Sequence, residues 1–261
     1  MKRIKIKYLL LVFSLILTNC GEKSTDIINS RTYNDVRADF QNLNFTTGVN
    51  DVTLLNINNF LWSFRVIMPN VNFTNNNRPL IIALHSFSGD NTDAHKATAC
   101  YIEPGYESLD AIIISPNAGS FLWEDIINQE QILSLIDLAV TYLPVNLKRI
   151  VVTGYSAGAN GSWFSGEVQP NVFSAAIPIA SSYNTITNGN PRLIETPMYV
   201  IHGENDDFFP LNLTQNWVNQ AIEAGGNITF VIAPDLNHFQ PCLYVEYIQE
   251  AANWLVNDIW N

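Results

Sequence analysis

The chain has 261 residues, 47% of them apolar and 14% charged. That balance can bury a core and excludes disorder over most of the length, and the length suits one large domain. Thirteen Lys and Arg stand against 24 Asp and Glu, a net charge of −11. Four of those bases (Lys2, Arg3, Lys5, Lys7) lie in the first seven residues, so the remainder carries 9 basic against 24 acidic residues, a net of −15. Such a surface repels polyanions, and a nucleic-acid partner is excluded.

Residues 1–20 begin Met-Lys-Arg-Ile-Lys-Ile-Lys, continue in an apolar run from Tyr8 to Thr18 and end at Asn19-Cys20. A basic front and a short apolar run have the form of a secretory signal peptide, and the run is shorter than the roughly 20 residues that span a bilayer. Leu17-Thr18-Asn19-Cys20 resembles the lipobox of bacterial lipoproteins, with Asn19 in place of the usual small residue. The resemblance implies a signal peptide over residues 1–19, acylation of Cys20 and an exported lipoprotein of the cell envelope, on the outer membrane and facing periplasm or surface. Ordinary cleavage and an uncleaved anchor are the alternatives. Cys100 and Cys242 then remain together in an oxidising compartment, either as a disulfide or as two separate buried thiols. From Cys20 to about residue 40 no apolar period is visible, which predicts a tether and a folded domain over 41–261.

Further on, strand and helix patterns alternate. Phe64–Met68, Leu80–Leu84, Ala111–Ser115, Arg149–Thr153, Phe173–Ala180, Met198–Ile201 and Ile228–Ile232 are apolar runs of strand length. Ile132, Leu135, Ile136 and Ala139 follow helical spacing, as do Trp217 and Ala221, and Tyr244–Ile259 closes the chain as an amphipathic helix. Buried strands alternating with helices predict an α/β fold with a mostly parallel central sheet and helices on both faces.

Arg149-Ile-Val-Val-Thr-Gly-Tyr-Ser-Ala-Gly158 is a β-branched strand running into G-x-S-x-G and then a helix. A nucleophile elbow needs that order: the turn strains Ser156, and small residues at 154 and 158 let strand and helix pass closely. A serine nucleophile also needs a base and an orienting acid. Two histidines follow Ser156. His202 ends a strand and is expected to brace the next loop; His238, in the loop before the last helix, is the expected base. Asp206, just past a strand's C-terminal end, is the expected acid, with Asp207 and then Glu204 as alternatives. Developing negative charge on an acyl oxygen needs donors. The backbone N–H of Ala157 is one, and that of Phe87, in the loop His85-Ser-Phe-Ser-Gly-Asp90, is the other. His85 is expected to brace this loop. Trp123 either lines the site or packs, and Trp163 is expected to pack helix on sheet.

These segments resemble the α/β-hydrolase superfamily, and most nearly its secreted esterases: feruloyl and acetyl-xylan esterases, polyhydroxybutyrate depolymerases and carboxylesterase/phospholipase-like enzymes. Leu84-His-Ser-Phe-Ser-Gly89 is similar to their L-H-G-x-G-G loop. Gly154-Tyr-Ser-Ala-Gly-Ala-Asn-Gly-Ser-Trp163 with Phe173-Ser-Ala-Ala-Ile-Pro178 is similar to their elbow and following strand. His202-Gly-Glu-Asn-Asp-Asp-Phe-Phe-Pro210 is similar to H-G-x-x-D-x-x-V-P, and Asn237-His238 falls at their histidine. Ser86, Ser88 and Ala159 stand where the pattern has glycines. The resemblance implies a carboxylic ester hydrolase working through an acyl-enzyme, without cofactor or metal. Residues 181–196 leave room for a small lid or none. An open site predicts short-chain or polysaccharide-linked esters, acetyl or feruloyl, for a monomer held on a membrane through Cys20. A serine peptidase of the same fold and a non-catalytic carbohydrate-binding lipoprotein are the rival readings.

Overall fold

The computed structural model describes residues 31–70 and 78–261; the expected signal peptide, Cys20 and the first half of the expected tether lie outside the described residues. Among the described residues no helix is long and apolar enough to cross a membrane.

Helix α1 (Tyr33–Gln41) occupies the second half of the segment expected to be a tether. Thr32 and Asp35 close a capping box, in which the Thr32 N–H donates to the Asp35 carboxylate at 2.7 Å and the Asp35 N–H to the Thr32 hydroxyl at 3.4 Å. Val36 and Phe40, one turn apart, are fully buried. The tether expectation is corrected for residues 32–41. Two core residues dock a helix this short, yet make no visible period.

Strands β1 (Gly48–Leu55) and β2 (Leu61–Met68) form a hairpin, followed by β3 (Arg78–Leu84), helix α2 (Ala99–Gly105), β4 (Ile112–Pro116), α3 (Ile126–Tyr142), β5 (Val145–Tyr155), α4 (Ala157–Val168) and β6 (Ala175–Ile179). A two-residue pair, β7 (Ile186–Thr187) and β8 (Asn190–Pro191), precedes β9 (Met198–Gly203), α5 (Leu211–Glu223), β10 (Ile228–Ala233) and α6 (Val245–Trp254). The large sheet has the order β1-β2-β4-β3-β5-β6-β9-β10. β2 pairs antiparallel with both neighbours, and the six strands from β4 to β10 in that order pair in parallel.

The period-two geometry of strands explains the near-continuous apolar runs. Leu80, Ile82 and Leu84 of β3 face a core with residues of α1, α3, α4 and α5, whereas Ile81 and Ala83 face a second core with residues of α2 and α6. Both faces of the strand are buried, so no polar alternation appears. β1 is different: only Leu54 is buried along it, which is why its sequence carries no strand signal.

All six parallel strands end at one edge, and their loops meet there. Between β6 and β9 the only regular structure is the β7–β8 pair. That segment is held by the Arg192–Glu167 ion pair and by Tyr183, whose ring stacks on Trp163 with centroids 5.6 Å apart and planes within 3°. Trp163 is buried under it, between helix and sheet.

Candidate active site

β5 delivers Ser156 to this edge. Ser156 has φ 57° and ψ −117° and stands at the N-terminus of α4. Positive φ costs a non-glycine residue about 1–3 kcal/mol and persists only where the surroundings enforce it. Here the enforcement is visible. The Ser156 N–H donates to the Ile179 carbonyl at 3.0 Å, and a Cβ on Gly154 would lie 2.7 Å from the Leu84 carbonyl oxygen and collide with the Gly158 carbonyl. A Cβ on Gly158 would collide with Leu84 in turn. The two glycines let β5, α4 and the end of β3 touch backbone to backbone.

His238 reaches Ser156 from the loop after β10. Its Nε2 is 2.9 Å from Ser156 Oγ, and its Nδ1 is 2.9 Å from Asp206 Oδ2. A carboxylate only accepts hydrogen bonds, so Nδ1 carries the proton and Nε2 is left to accept from the Ser156 hydroxyl. Asp206 Oδ1 accepts the N–H groups of Phe208 at 3.0 Å and Phe209 at 2.8 Å. Burial pushes the Asp206 pKa up, but the hydrogen bonds from His238 and the Phe209 N–H outweigh it and hold the carboxyl below its ordinary value. Asp207 and Glu204, the alternatives for this position, are exposed, and the Glu204 carboxylate accepts the Asp235 N–H at 3.2 Å. His202 does not reach Ser156. Its Nε2–H donates to the Phe209 carbonyl at 2.8 Å, fixing the turn whose N–H groups hold Asp206.

The loop bearing His238 is tied down on several sides. Tyr155 Oη donates to the His238 carbonyl at 2.6 Å and Tyr244 Oη to the Asn237 carbonyl at 3.4 Å. Cys100 and Cys242 are bonded, with Cα atoms 5.2 Å apart, joining α2 to the turn just past His238. Aromatic rings surround the imidazole. Phe208 stacks on it at 4.8 Å and 20°, Phe209 meets it edge-on at 5.3 Å, and Phe239 stands perpendicular at 5.6 Å. Sequence reasoning missed Tyr155 and these phenylalanines; the Phe-Phe pair directly after Asp206-Asp207 was the available signal.

Ala157 opens α4, and Phe87 lies in the loop after β3. Neither N–H is spent on a backbone carbonyl in the described turns and loops. The loop is braced by His85. Its Nδ1–H donates to the Ser86 carbonyl at 2.6 Å, and its Nε2 accepts the Ala118 N–H at 3.1 Å. Burial lowers the His85 pKa, in keeping with a neutral ring bonded on both sides. Trp123 does not line an open site. It is 2% exposed, its indole N–H donates to the His85 carbonyl at 2.9 Å, and its side chain fills the space beside Gly161. Its indole donor had a buried carbonyl to satisfy, and the ring turned inward with it. Among the described residues no group of three His, Cys, Asp or Glu is placed to hold a metal ion.

The family model of phospholipases and carboxylesterases matches residues 122–255, slightly more than half of the chain. The chain belongs to the phospholipase/carboxylesterase family. It is a serine carboxylesterase of the α/β-hydrolase fold. No curated protein matches this carboxylesterase in sequence. Among solved structures, fluorophosphonate-binding serine hydrolase F of Staphylococcus aureus superposes with a TM-score of 0.67 at 15% identity, over 82% of this chain and 100% of its own. Esterase 2 of Thermogutta terrifontis, phosphoramylated by tabun, gives 0.63 at 14%, over 82% and 96%. A thermostable esterase gives 0.64 at 20%; 80% of this chain aligns, spanning 62% of that longer protein. At these identities the likeness is one of fold.

Proposed function

We propose that this carboxylesterase cleaves its substrates with Ser156, His238 and Asp206 acting as a triad. The observation that carries the reading is the unbroken chain from Ser156 Oγ through His238 to Asp206, with two links of 2.9 Å, on a serine held at positive φ. Ser156 Oγ attacks the ester carbonyl as His238 Nε2 takes its proton. The carbonyl oxygen becomes an oxyanion against the N–H groups of Ala157 and Phe87. The carbonyl carbon then breaks from the alcohol oxygen, which takes the proton from Nε2, and the acyl group stays on Ser156. Water, deprotonated by His238, releases the acid. The slight β7–β8 segment supports an open site suited to short acyl groups or esters borne on polysaccharide, acetyl or feruloyl.

Hydrolysis of p-nitrophenyl acetate and butyrate by wild type and Ser156→Ala tests this. We expect kcat/KM to fall by at least about 10³-fold in the variant. A wild type without turnover, or a variant as fast as wild type, would overturn the proposal, and hydrolysis of peptide anilides in place of esters would turn it to a peptidase. Acylation of Cys20, placing the enzyme on the cell envelope, belongs to the same proposal. Labelled palmitate should enter the wild-type chain and not Cys20→Ala.

A further inference from the structure

Phe208 and Phe239 are 63% and 81% exposed, although both touch the imidazole of His238. Large apolar side chains at a rim lose the stabilisation that burial would provide, and a polar residue could shield His238 equally well. Nor are these rings on a loose tip. The Phe208 N–H is held by Asp206 Oδ1 at 3.0 Å, and the Phe239 N–H by Asn237 Oδ1 at 2.9 Å. The His238 loop is further fixed by Tyr155, Tyr244 and the Cys100–Cys242 bond. Two rings are thus presented to solvent on rigid backbone.

Their position assigns them to one half of the substrate. In acyl transfer the oxyanion turns to the backbone donors, whereas the departing alcohol oxygen must come within hydrogen-bond distance of the base to collect its proton. That base is His238 Nε2, so the alcohol departs beside an imidazole flanked by exposed rings centred 4.8 and 5.6 Å from its own centre. An alcohol with a flat apolar face can lie against such a ring; a short flexible alcohol leaves it in water. We propose that Phe208 and Phe239 form a leaving-group subsite that selects esters of ring-bearing alcohols, aryl-type or pyranose, and leaves acyl selection to other residues. This inference rests on the triad reading above.

The test holds the acyl group constant. Ethyl acetate and benzyl acetate release alcohols of similar reactivity, and benzyl acetate adds a ring; a peracetylated methyl xyloside supplies the sugar counterpart. We expect Phe239→Ala to lower kcat/KM for the ring-bearing acetates by about tenfold, in the range of one lost ring contact. Ethyl acetate should change less than about twofold, and the ratio of p-nitrophenyl acetate to p-nitrophenyl butyrate should stay constant. Loss for benzyl acetate alone assigns an aryl alcohol, and loss for the xyloside alone a sugar. Phe239→Trp should restore the ring preference and Phe239→Leu should not. Leu147→Ala, which removes another exposed apolar side chain at the far end of β5, should alter nothing. An equal fall for ethyl and ring-bearing acetates, a wild type indifferent to the ring, or a shifted acyl ratio each overturns the subsite. A wild type that hydrolyses no ester, or a Ser156→Ala variant as active as wild type, removes the triad reading and this inference with it.

Discussion

Two loops meet over Ser156, and they are held by different physics. The loop bearing His238 is fastened by a covalent bond between Cys100 and Cys242, by the hydroxyls of Tyr155 and Tyr244 on its carbonyls, and by the Tyr155 ring packed on the imidazole. The loop bearing Phe87 has no such bond. It depends on the neutral His85 ring, bridging Ser86 and Ala118, and on the indole of Trp123. A base that accepts and returns a proton must stay within about 3 Å of its partner in both charge states, which favours a covalent restraint. An oxyanion donor has only to present a backbone N–H, and a hydrogen-bonded brace suffices. The two halves should therefore fail under different insults.

The largest difference comes from reduction. The disulfide closes a loop of 142 residues, for which the chain-entropy account gives about 5 kcal/mol of stability, less whatever structure the reduced unfolded chain retains. Urea unfolding of oxidised enzyme against Cys100→Ser/Cys242→Ser should show that loss, and activity should vanish at lower urea than global fluorescence in the variant. Coincident transitions with unchanged midpoint would show that Tyr155 and Tyr244 hold the loop unaided.

Next in size is the opposite brace. His85→Ala leaves the buried Ala118 N–H and the Ser86 carbonyl without their partner and frees the Phe87 backbone. Loss of one oxyanion donor costs about 2.7–4 kcal/mol of transition-state stabilisation, so kcat should fall by about 10²–10³-fold with KM for p-nitrophenyl acetate nearly constant. A variant that retains kcat would show that Phe87 is not a donor, or that Trp123 alone holds it.

The same contrast governs how much could be read from the amino-acid sequence. Gly154, Ser156 and Gly158 are legible because the elbow's residue types sit together within five positions, although Leu84 and Ile179 from neighbouring strands enforce its strain and clearance. Asp206 and His238 are legible from their places at strand exits. The aromatic rim is not, since Phe208 and Phe239 look like core candidates in sequence and only the tertiary fold leaves them exposed. Trp123 errs in the other direction, because proximity to a site loop does not reveal which way an indole turns. α1 and β1 escape for a plainer reason. Each buries only one or two residues, and a period needs more.

The smallest effect separates the loops by acid. Burial lowers the pKa of both His85 and His202 from the ordinary 6.5. The unfolded chain therefore binds protons at these sites at a pH where the folded chain does not, and stability, fully present above about 6.5, declines as pH falls through the window below it. Asp206, held below its ordinary 3.8, adds a second decline at still lower pH, lost as pH falls through its folded value. The two histidines differ in what protonation does to their neighbours. A charged His202 lies 4.0 Å from Asp206 Oδ2 and gains an attraction. A charged His85 can no longer accept the Ala118 N–H, so it loses a bond that braces the Phe87 loop. Melting curves between pH 7.5 and 5 should thus show a falling Tm, by about 2–4 °C for each kcal/mol lost. His85→Gln should flatten that slope more than His202→Gln does. The reverse order would move the acid-labile element to the turn behind Asp206 and leave the two loops alike in what holds them.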